Sequence, residues 1–99
     1  MVMKIGKNAL DNFKILSESN TGDIFFHLSS FPSAFVILSS PLIDDEMIEL
    51  AAITCKQCTK FRNIPNIYVD FCDVSNVTAT SKAGTVTYIR RRQVKRIKI

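Results

Sequence analysis

The segment from Asp23 to Leu38 constrains the fold of this 99-residue chain more than any other. Its first part, Asp23-Ile-Phe-Phe-His27, is rich in aromatic and β-branched residues that favour extended structure. Its second part, from Ala34 to Leu38, is an apolar run that is too short for a helix and typical of a buried strand. Pro32 interrupts the chain between the two parts. We therefore predict two strands that pair as an antiparallel hairpin.

Strand alternation divides the first part between two faces. The apolar face, which we assign to the core, is formed by Ile24, Phe26 and Leu28. Asp23, Phe25 and His27 share the other face, and this mixture of carboxylate, aromatic ring and imidazole marks it as a candidate binding surface. The alternative is that a helix covers this face and that its polar groups only satisfy the backbone. An accessible His27 beside Phe25 and Lys7 would favour a site, whereas a buried one bonded to the backbone would favour the alternative.

The composition indicates one globular domain over residues 1–99, with 46% apolar and 22% charged residues. No apolar run reaches the roughly 18 residues that cross a bilayer, so no membrane partner is expected. The N-terminal residues lack the apolar region and cleavage site of a secretory signal. Three cysteines, an odd number, do not suggest a disulfide framework. We expect a cytoplasmic protein.

Helical periodicity predicts one long helix from about Asp44 to Lys60, with Asp44 as its N-cap. Residues 6–12 are predicted to form a turn or loop because of their glycine, asparagine and aspartate content. For residues 13–16 the pattern leaves a short extended piece or a single helical turn open. Further strands and loops surround these segments.

The end of the chain is predicted to be a hairpin, with strands over residues 85–89 and 94–99 and Arg90-Arg-Arg-Gln93 at its tip. A turn at Lys82-Ala-Gly84 precedes it. The predicted fold class is α+β, a single domain with a mainly antiparallel or mixed sheet. One long helix packs on this sheet, and the C-terminal basic hairpin completes it.

The charge distribution is uneven, although the net charge is only +4. Six of the thirteen basic residues fall in the last ten positions, and no acidic residue follows Asp73. Such one-sided charge favours a polyanionic partner, most often a nucleic acid. The alternative is a solvated basic hairpin that serves solubility alone.

Motifs for catalysis or metal binding are weak. Cys55-Lys-Gln-Cys58 falls near the end of the predicted helix, where the helix dipole opposes thiolate formation. A zinc site would need Cys72 and His27 as further ligands. Glycine-rich phosphate loops are absent, and one histidine with many serines does not indicate a catalytic triad. We expect no enzyme activity, no metal and no cofactor.

The remaining candidates are basic, amide and aromatic side chains in predicted loops, at element ends or on the exposed strand face. Phosphate contacts are expected from Lys7, Asn8, Asn12, Lys60, Arg62, Arg90, Arg91, Arg92 and Lys95. Phe25 and His27 are expected to stack on unpaired bases, each contact contributing about 1–3 kcal/mol. The pattern predicts a non-catalytic binding module. It leaves RNA, DNA and a ribosomal or other acidic protein open as the partner.

Six blocks of residues follow one another along nearly the whole chain. They are Gly6-Lys-Asn-Ala-x-x-Asn12, Asp23-Ile-Phe-Phe-His27, Pro32-Ser-Ala-Phe-Val-Ile37, a helix with Ala51-Ala52 that ends in Thr59-Lys-x-Arg62, Ile67-Tyr-Val-Asp70, and Gly84-Thr-Val86. Their order and spacing resemble the NFACT-R domain family. The chain would be a stand-alone, minimal and divergent member of that family.

The resemblance implies an RNA-binding module for tRNA or ribosome-associated RNA, related to the R domain of ribosome-associated quality-control factors. The functional positions that it implies are Lys7, Asn8, Asn12, Asp23, Phe25, His27, Lys60 and Arg62. Two positions depart from the family pattern, which usually has tryptophan at Phe25 and a second histidine at Phe35. If the family's two histidines act together, the change at Phe35 alters that function.

Overall fold

The computed structural model describes residues 1–82 and 85–99 and has an antiparallel sheet at its centre. The strands are β1 (Val2–Ile5), β2 (Ile24–Leu28), β3 (Val36–Ser39), β4 (Tyr68–Asp73), β5 (Val77–Ala79), β6 (Val86–Tyr88) and β7 (Lys95–Lys98). Five of them form one sheet in the order β1-β3-β2-β4-β7, while β5 and β6 form a separate hairpin. Together with two α-helices, these strands confirm the predicted single-domain α+β class.

The predicted pairing of β2 with β3 is confirmed, and β2 lies at the centre of the sheet. Phe25 is directly opposite Ile37 on one neighbour and Cys72 on the other. On one face Phe26 and Leu28 are fully buried in the main hydrophobic cluster, as the alternation predicted. The opposite face, which includes Phe25, contributes to a second buried cluster.

Helix α2 (Asp45–Gln57) covers the first face of the sheet. Asp44 caps it, since its side chain accepts a hydrogen bond of 2.9 Å from the backbone N–H of Met47. Ala51 and Ala52 are fully buried, which allows the helix to approach the sheet closely. The helix ends before the predicted Lys60 because the Thr59 hydroxyl bonds the Lys56 carbonyl and the Phe61 N–H in a tight turn.

A second helix, α1 (Ala9–Ser17), occupies the region where we predicted a loop. Asn8 caps this helix by accepting a hydrogen bond from the N–H of Asp11, and the Asp11 carboxylate accepts one from the N–H of Lys7. A helix of nine residues is marginal alone, so tertiary packing decides its formation. Ile15 provides that packing, because it is buried in the second cluster.

The predicted C-terminal hairpin is wrong in its pairing. β6 pairs with β5, and β7 pairs with β4 at the edge of the main sheet. The residues between them, Arg91–Gln93, form a 3-10 turn that carries the chain from one sheet to the other. Ala83 and Gly84 of the turn predicted at residues 82–84 lie outside the described residues.

The sheet is therefore covered on both faces. Helix α2 packs on one face, while α1 and the β5–β6 hairpin contribute the half-buried Phe13, Val77, Val86 and Tyr88 to the cluster on the other. In the described part of the chain, neither helix is long and apolar enough to cross a membrane.

Candidate nucleic-acid interface

A depression of about 620 Å³ lies where the start of α1, the β2–β3 link and the end of α2 meet. We call it the basic groove, and its main polar lining is Lys7, Asn8, Asn12, His27, Lys60 and Lys82. The three lysines are exposed, and none of the described residues that line the groove is acidic. The fold thus brings together residues that are up to 75 positions apart in the sequence.

One wall of the basic groove depends on a close contact between Gly6 and Asn12. The Asn12 Oδ1 accepts a hydrogen bond of 3.0 Å from the N–H of Phe35, and the N–H of Gly6 donates one of 3.0 Å to the Phe35 carbonyl. A Cβ at position 6 would lie 1.7 Å from the Asn12 Oδ1, so only glycine fits there. Asn12 is buried, and its first role is to hold the start of α1 against β3.

His27 is half-buried. Its contacts agree in part with each of the two alternatives for this strand face, a binding site and a purely structural role. Its Nδ1–H donates a hydrogen bond of 2.6 Å to the Leu28 carbonyl, as the structural alternative expected. The ring also lines the basic groove together with Lys7, as a binding site would require. Burial lowers the pKa of His27 below 6.5, although the Leu28 carbonyl and the Asp70 carboxylate oppose this shift. The neutral ring therefore leaves Nε2 as a hydrogen-bond acceptor.

A second depression, of about 450 Å³, adjoins the basic groove. We call it the central pocket, and its lining includes His27, Ser29, Phe31, Asp70, Thr85 and Tyr88. Asp70 is buried and accepts a hydrogen bond of 3.1 Å from Nε of Arg96, whose side chain is 60% exposed. The Tyr88 hydroxyl lies 3.5 Å from the other carboxylate oxygen. Burial, reinforced by the Asp70 carboxylate, raises the pKa of Tyr88 above its ordinary value.

The third depression, of about 250 Å³, is the arginine end, lined by Asp70, Tyr88, Arg91, Val94 and Arg96. Its loop is held by the buried Asn76. The Asn76 side chain accepts a hydrogen bond of 2.8 Å from the N–H of Arg90 and donates one of 2.9 Å to the Arg90 carbonyl. These two bonds fix the backbone immediately before Arg91.

The three depressions adjoin one another, and we call them together the track. The basic groove and the central pocket share His27, Pro32 and Thr85. The central pocket and the arginine end share Asp70 and Tyr88. Exposed lysines therefore lie at one end, exposed arginines lie at the other, and aromatic and polar groups lie between them.

Several residues predicted for the site lie away from this track. Phe25 is fully buried, with its ring stacked 6.3 Å from the His27 ring, so the predicted stacking on an external base is wrong. Asp23 lines a different depression, where its carboxylate accepts hydrogen bonds from the Ser39 hydroxyl and the N–H of Asn20.

The remaining predicted cations are exposed but line none of the three depressions. Lys95 projects toward the α2 side of the sheet, because its neighbour Arg96 faces Asp70 and strand side chains alternate. Arg62 follows α2, and its guanidinium makes a 3.4 Å contact with the Thr59 carbonyl. Arg90 and Arg92 flank Arg91 without lining the arginine end. Within the predicted tip, the structure thus places Arg91 alone on the track.

Four residues that line the depressions were not among the predicted site residues: Asp70, Lys82, Tyr88 and Arg96. For Asp70 a signal existed, because an aspartate inside a mainly apolar strand marks a polar position on a buried face. Arg96 had no such signal, since it is one of three basic residues in the short strand Lys95–Lys98. For Lys82 and Tyr88 no local pattern distinguishes them from other surface residues. Their role follows from the position of the β5–β6 hairpin over the sheet.

The cysteines do not form the metal site that their spacing first suggested. Cys55 belongs to the cluster under α2, whereas Cys72 belongs to the cluster on the opposite face of the sheet. Burial raises the pKa of Cys55 to about 12 and that of Cys72 to about 11, so both thiols stay protonated. Within residues 1–82 and 85–99, no group of three or more histidine, cysteine or acidic residues is arranged to hold a metal ion.

Phe35 occupies the position where the resemblance implies a second histidine. Its ring is fully buried and contacts the rings of Phe25 at 4.9 Å and His27 at 5.7 Å, both edge to face. A side chain at this position thus lies directly against His27. In this chain the contact is apolar, and it contributes packing in place of a second titratable group.

Comparison with known proteins identifies a similar structure but no family. No family model matches the sequence, and no curated protein matches it. Among solved structures, the chain is similar to the C-terminal part of the fibronectin/fibrinogen-binding protein from Streptococcus suis, with a TM-score of 0.87 and 26% sequence identity. The match covers 98% of this chain and 40% of that chain, so this chain corresponds to less than half of that structure.

Proposed function

We propose that this chain is a non-catalytic RNA-binding module that acts in the cytoplasm on tRNA or ribosome-associated RNA. The observation that carries the proposal is the track with unpaired cations at both ends. Lys7, Lys60, Lys82 and Arg91 form no ion pair with any described residue. Their charge is available to phosphate oxygens, and an extended nucleic-acid backbone that follows the track would meet cations at both ends.

The middle of the track supports an unpaired nucleic acid over a duplex. His27, Phe31 and Tyr88 line it, and these ring types are the ones on which unstacked bases are held in RNA recognition. A regular duplex would present only its phosphates to such a recess. The resemblance to the NFACT-R family, drawn from the sequence, favours the same partner.

Charge-matched variants test the proposal. Lys7→Ala, Lys60→Ala and Lys82→Ala combined should weaken binding of a labelled tRNA and flatten its salt dependence, because three phosphate contacts are lost. The slope of log K against log salt should fall by about 2 in magnitude. Fluorescence anisotropy at several KCl concentrations measures both quantities.

The control combines Lys4→Ala, Lys14→Ala and Lys95→Ala, which lowers the net charge equally but removes exposed lysines that line none of the three depressions. Its salt slope should match that of the unmodified chain. Equal slopes for both triple variants would contradict the proposed interface. Competition between RNA and DNA oligonucleotides of the same sequence then distinguishes RNA from DNA as the preferred partner.

A second candidate function is protein binding, since the similar structure belongs to a fibronectin/fibrinogen-binding protein. The track would then receive an acidic segment of a protein partner, with the lysines and arginines at its rim. Binding to immobilised fibronectin and fibrinogen, with the same two triple variants, tests this alternative. Protein binding that depends on the groove lysines, together with no binding of tRNA, would favour it over RNA.

A further inference from the structure

The central pocket has polar atoms that the fold leaves without strong partners. Nδ1 of His27 is used by the Leu28 carbonyl, but Nε2 has no hydrogen-bond partner among the described residues. Asp70 Oδ1 accepts from Arg96, whereas Oδ2 receives only the 3.5 Å contact from the Tyr88 hydroxyl. In the same lining, the Ser29 hydroxyl is buried and has no partner. A buried polar atom without a partner is uncommon, and the Ser29 Oγ belongs to the same lining as His27 and Asp70.

Two of these atoms are acceptors on adjacent strands. His27 of β2 and Asp70 of β4 are direct cross-strand partners. The Cβ atoms of such partners are about 4.5–5.5 Å apart on one face of a sheet. The pocket therefore presents an imidazole nitrogen and a carboxylate oxygen side by side, and a ligand must offer two neighbouring N–H donors to satisfy them.

The walls of the pocket suit a flat ring. Phe31 and Tyr88 line it, and the volume of about 450 Å³ falls within the range of roughly 300–1,000 Å³ typical of small-molecule sites. The pocket adjoins the basic groove through His27, Pro32 and Thr85 and the arginine end through Asp70 and Tyr88. A ring bound in the pocket would thus have cations on both sides for the phosphates that flank it.

We infer that the central pocket binds one unpaired guanine base of the RNA, with the N1–H and the N2 amino group donating to Asp70 and His27. Guanine is the RNA base whose Watson–Crick edge has a ring N–H next to an amino group. Adenine and cytosine place a ring acceptor beside their amino group, and uracil has a single N–H between two carbonyls. The inference rests on the proposed RNA binding and adds base selectivity to it.

Oligouridylates with one central guanosine, inosine or adenosine test the inference. The guanosine oligonucleotide should bind about tenfold more tightly than the adenosine one, because adenine cannot satisfy two acceptors. Inosine keeps N1–H but lacks the amino group, so its affinity should fall between the two. Each ratio is measured on a single protein preparation, which makes it independent of the fraction of correctly folded protein.

Asp70→Asn replaces one acceptor with an amide donor at nearly constant volume. The affinity ratio of the guanosine to the adenosine oligonucleotide should then fall to about 1, which means no preference. Asp45→Asn is the matched control, since it makes the same chemical change at an exposed residue of α2 that lines none of the three depressions. This control should retain the preference for guanosine. A thermal unfolding curve for each variant verifies that the fold is maintained.

Three results would overturn the inference. Salt-dependent binding with equal affinity for all three oligonucleotides would leave RNA binding in place but remove the base pocket. A guanosine preference that persists unchanged in Asp70→Asn would move the selectivity elsewhere in the molecule. No binding of any oligonucleotide or tRNA would overturn the proposed function together with the pocket.

Discussion

His27 packs against the rings of Phe25 and Phe35, yet it also lines two depressions of the track. The aromatic contacts and the hydrogen bond to the Leu28 carbonyl restrict the ring to one orientation. The same burial disfavours its charged form. One ring nitrogen of His27 is thus bonded to the backbone, while the other has no hydrogen-bond partner among the described residues.

At the residue scale, the lowered pKa of His27 makes stability depend on pH. Below about pH 6.5 the unfolded chain binds a proton at this position more readily than the folded one, so protonation favours unfolding. The free energy of unfolding should therefore fall as the pH is lowered from 7.5 to below 6.5, by at most about 1.4 kcal/mol per pH unit from this group.

Urea denaturation at several pH values measures this effect. His27→Gln lacks the titrating group and should show a smaller decline over the same range. Because the other titratable groups are unchanged in the variant, the difference between the two curves isolates His27. Parallel curves would show that the imidazole does not titrate differently in the folded chain.

At the scale of elements, α1 combines two roles at its first residues. Asn8 caps the helix, and it also lines the basic groove beside Lys7. Its sequence signal was the spacing from Asn8 to Asp11, which resembles a capping box with aspartate in place of glutamate. We predicted a loop here because asparagine and aspartate are as typical of turns as they are of helix N-caps.

Substitutions at Asn8 should separate these two roles. Asn8→Ala removes the cap and should lower the free energy of unfolding by about 1 kcal/mol. Asn8→Asp keeps a capping oxygen and adds a favourable charge at the helix start, so stability should be maintained. The added negative charge in the groove should nevertheless weaken tRNA binding.

Chemical denaturation and anisotropy on the same samples provide the two readouts for these variants. Asn8→Ser serves as the control, because it retains a cap without adding charge. If Asn8→Asp binds tRNA as tightly as Asn8→Ser does, the start of α1 lies outside the interface.

At the scale of the whole molecule, the sheet is buried on both faces, and the track lies along the edge of the second covering layer. This layer consists of α1 and the β5–β6 hairpin. The track therefore exists only while Tyr88, Val86 and Thr85 remain packed over β2 and β4. The second buried cluster therefore supports the track directly.

Phe25→Ala tests this arrangement. The fully buried ring contacts Phe35, His27 and Tyr88, and its removal should lower the free energy of unfolding by roughly 3–5 kcal/mol. Binding of single-stranded RNA and of tRNA should fall together, since the loss acts through folding.

Leu10→Ala is the control. Leu10 is 74% exposed, so its free energy of unfolding should stay within about 0.5 kcal/mol of that of the unmodified chain. A stable Phe25→Ala chain that loses only single-strand binding would contradict this account.

The sequence by itself determined the features that neighbouring residues encode. The alternation over residues 23–28, the apolar run ending at Leu38 and the cap at Asp44 each depend on side-chain periodicity or a local hydrogen bond. These features were sufficient to predict the α+β class and the pairing of β2 with β3. Part of the candidate site could also be predicted from the sequence, because lysine, asparagine and histidine side chains suit RNA contacts wherever they lie on the surface. The residues concerned are Lys7, Asn8, His27 and Lys60.

Only the tertiary structure decided which residues meet. The second layer buries Phe25 and excludes it from the surface, and β6 pairs with β5 instead of β7. Lys82, Tyr88 and Arg96 join the track through contacts between segments far apart in the chain. Such contacts depend on the summed burial of many residues and on the path of the connections. For that reason, a strand face that alternation marked as half polar is largely buried, and the track lies along the edge of the layer that covers it.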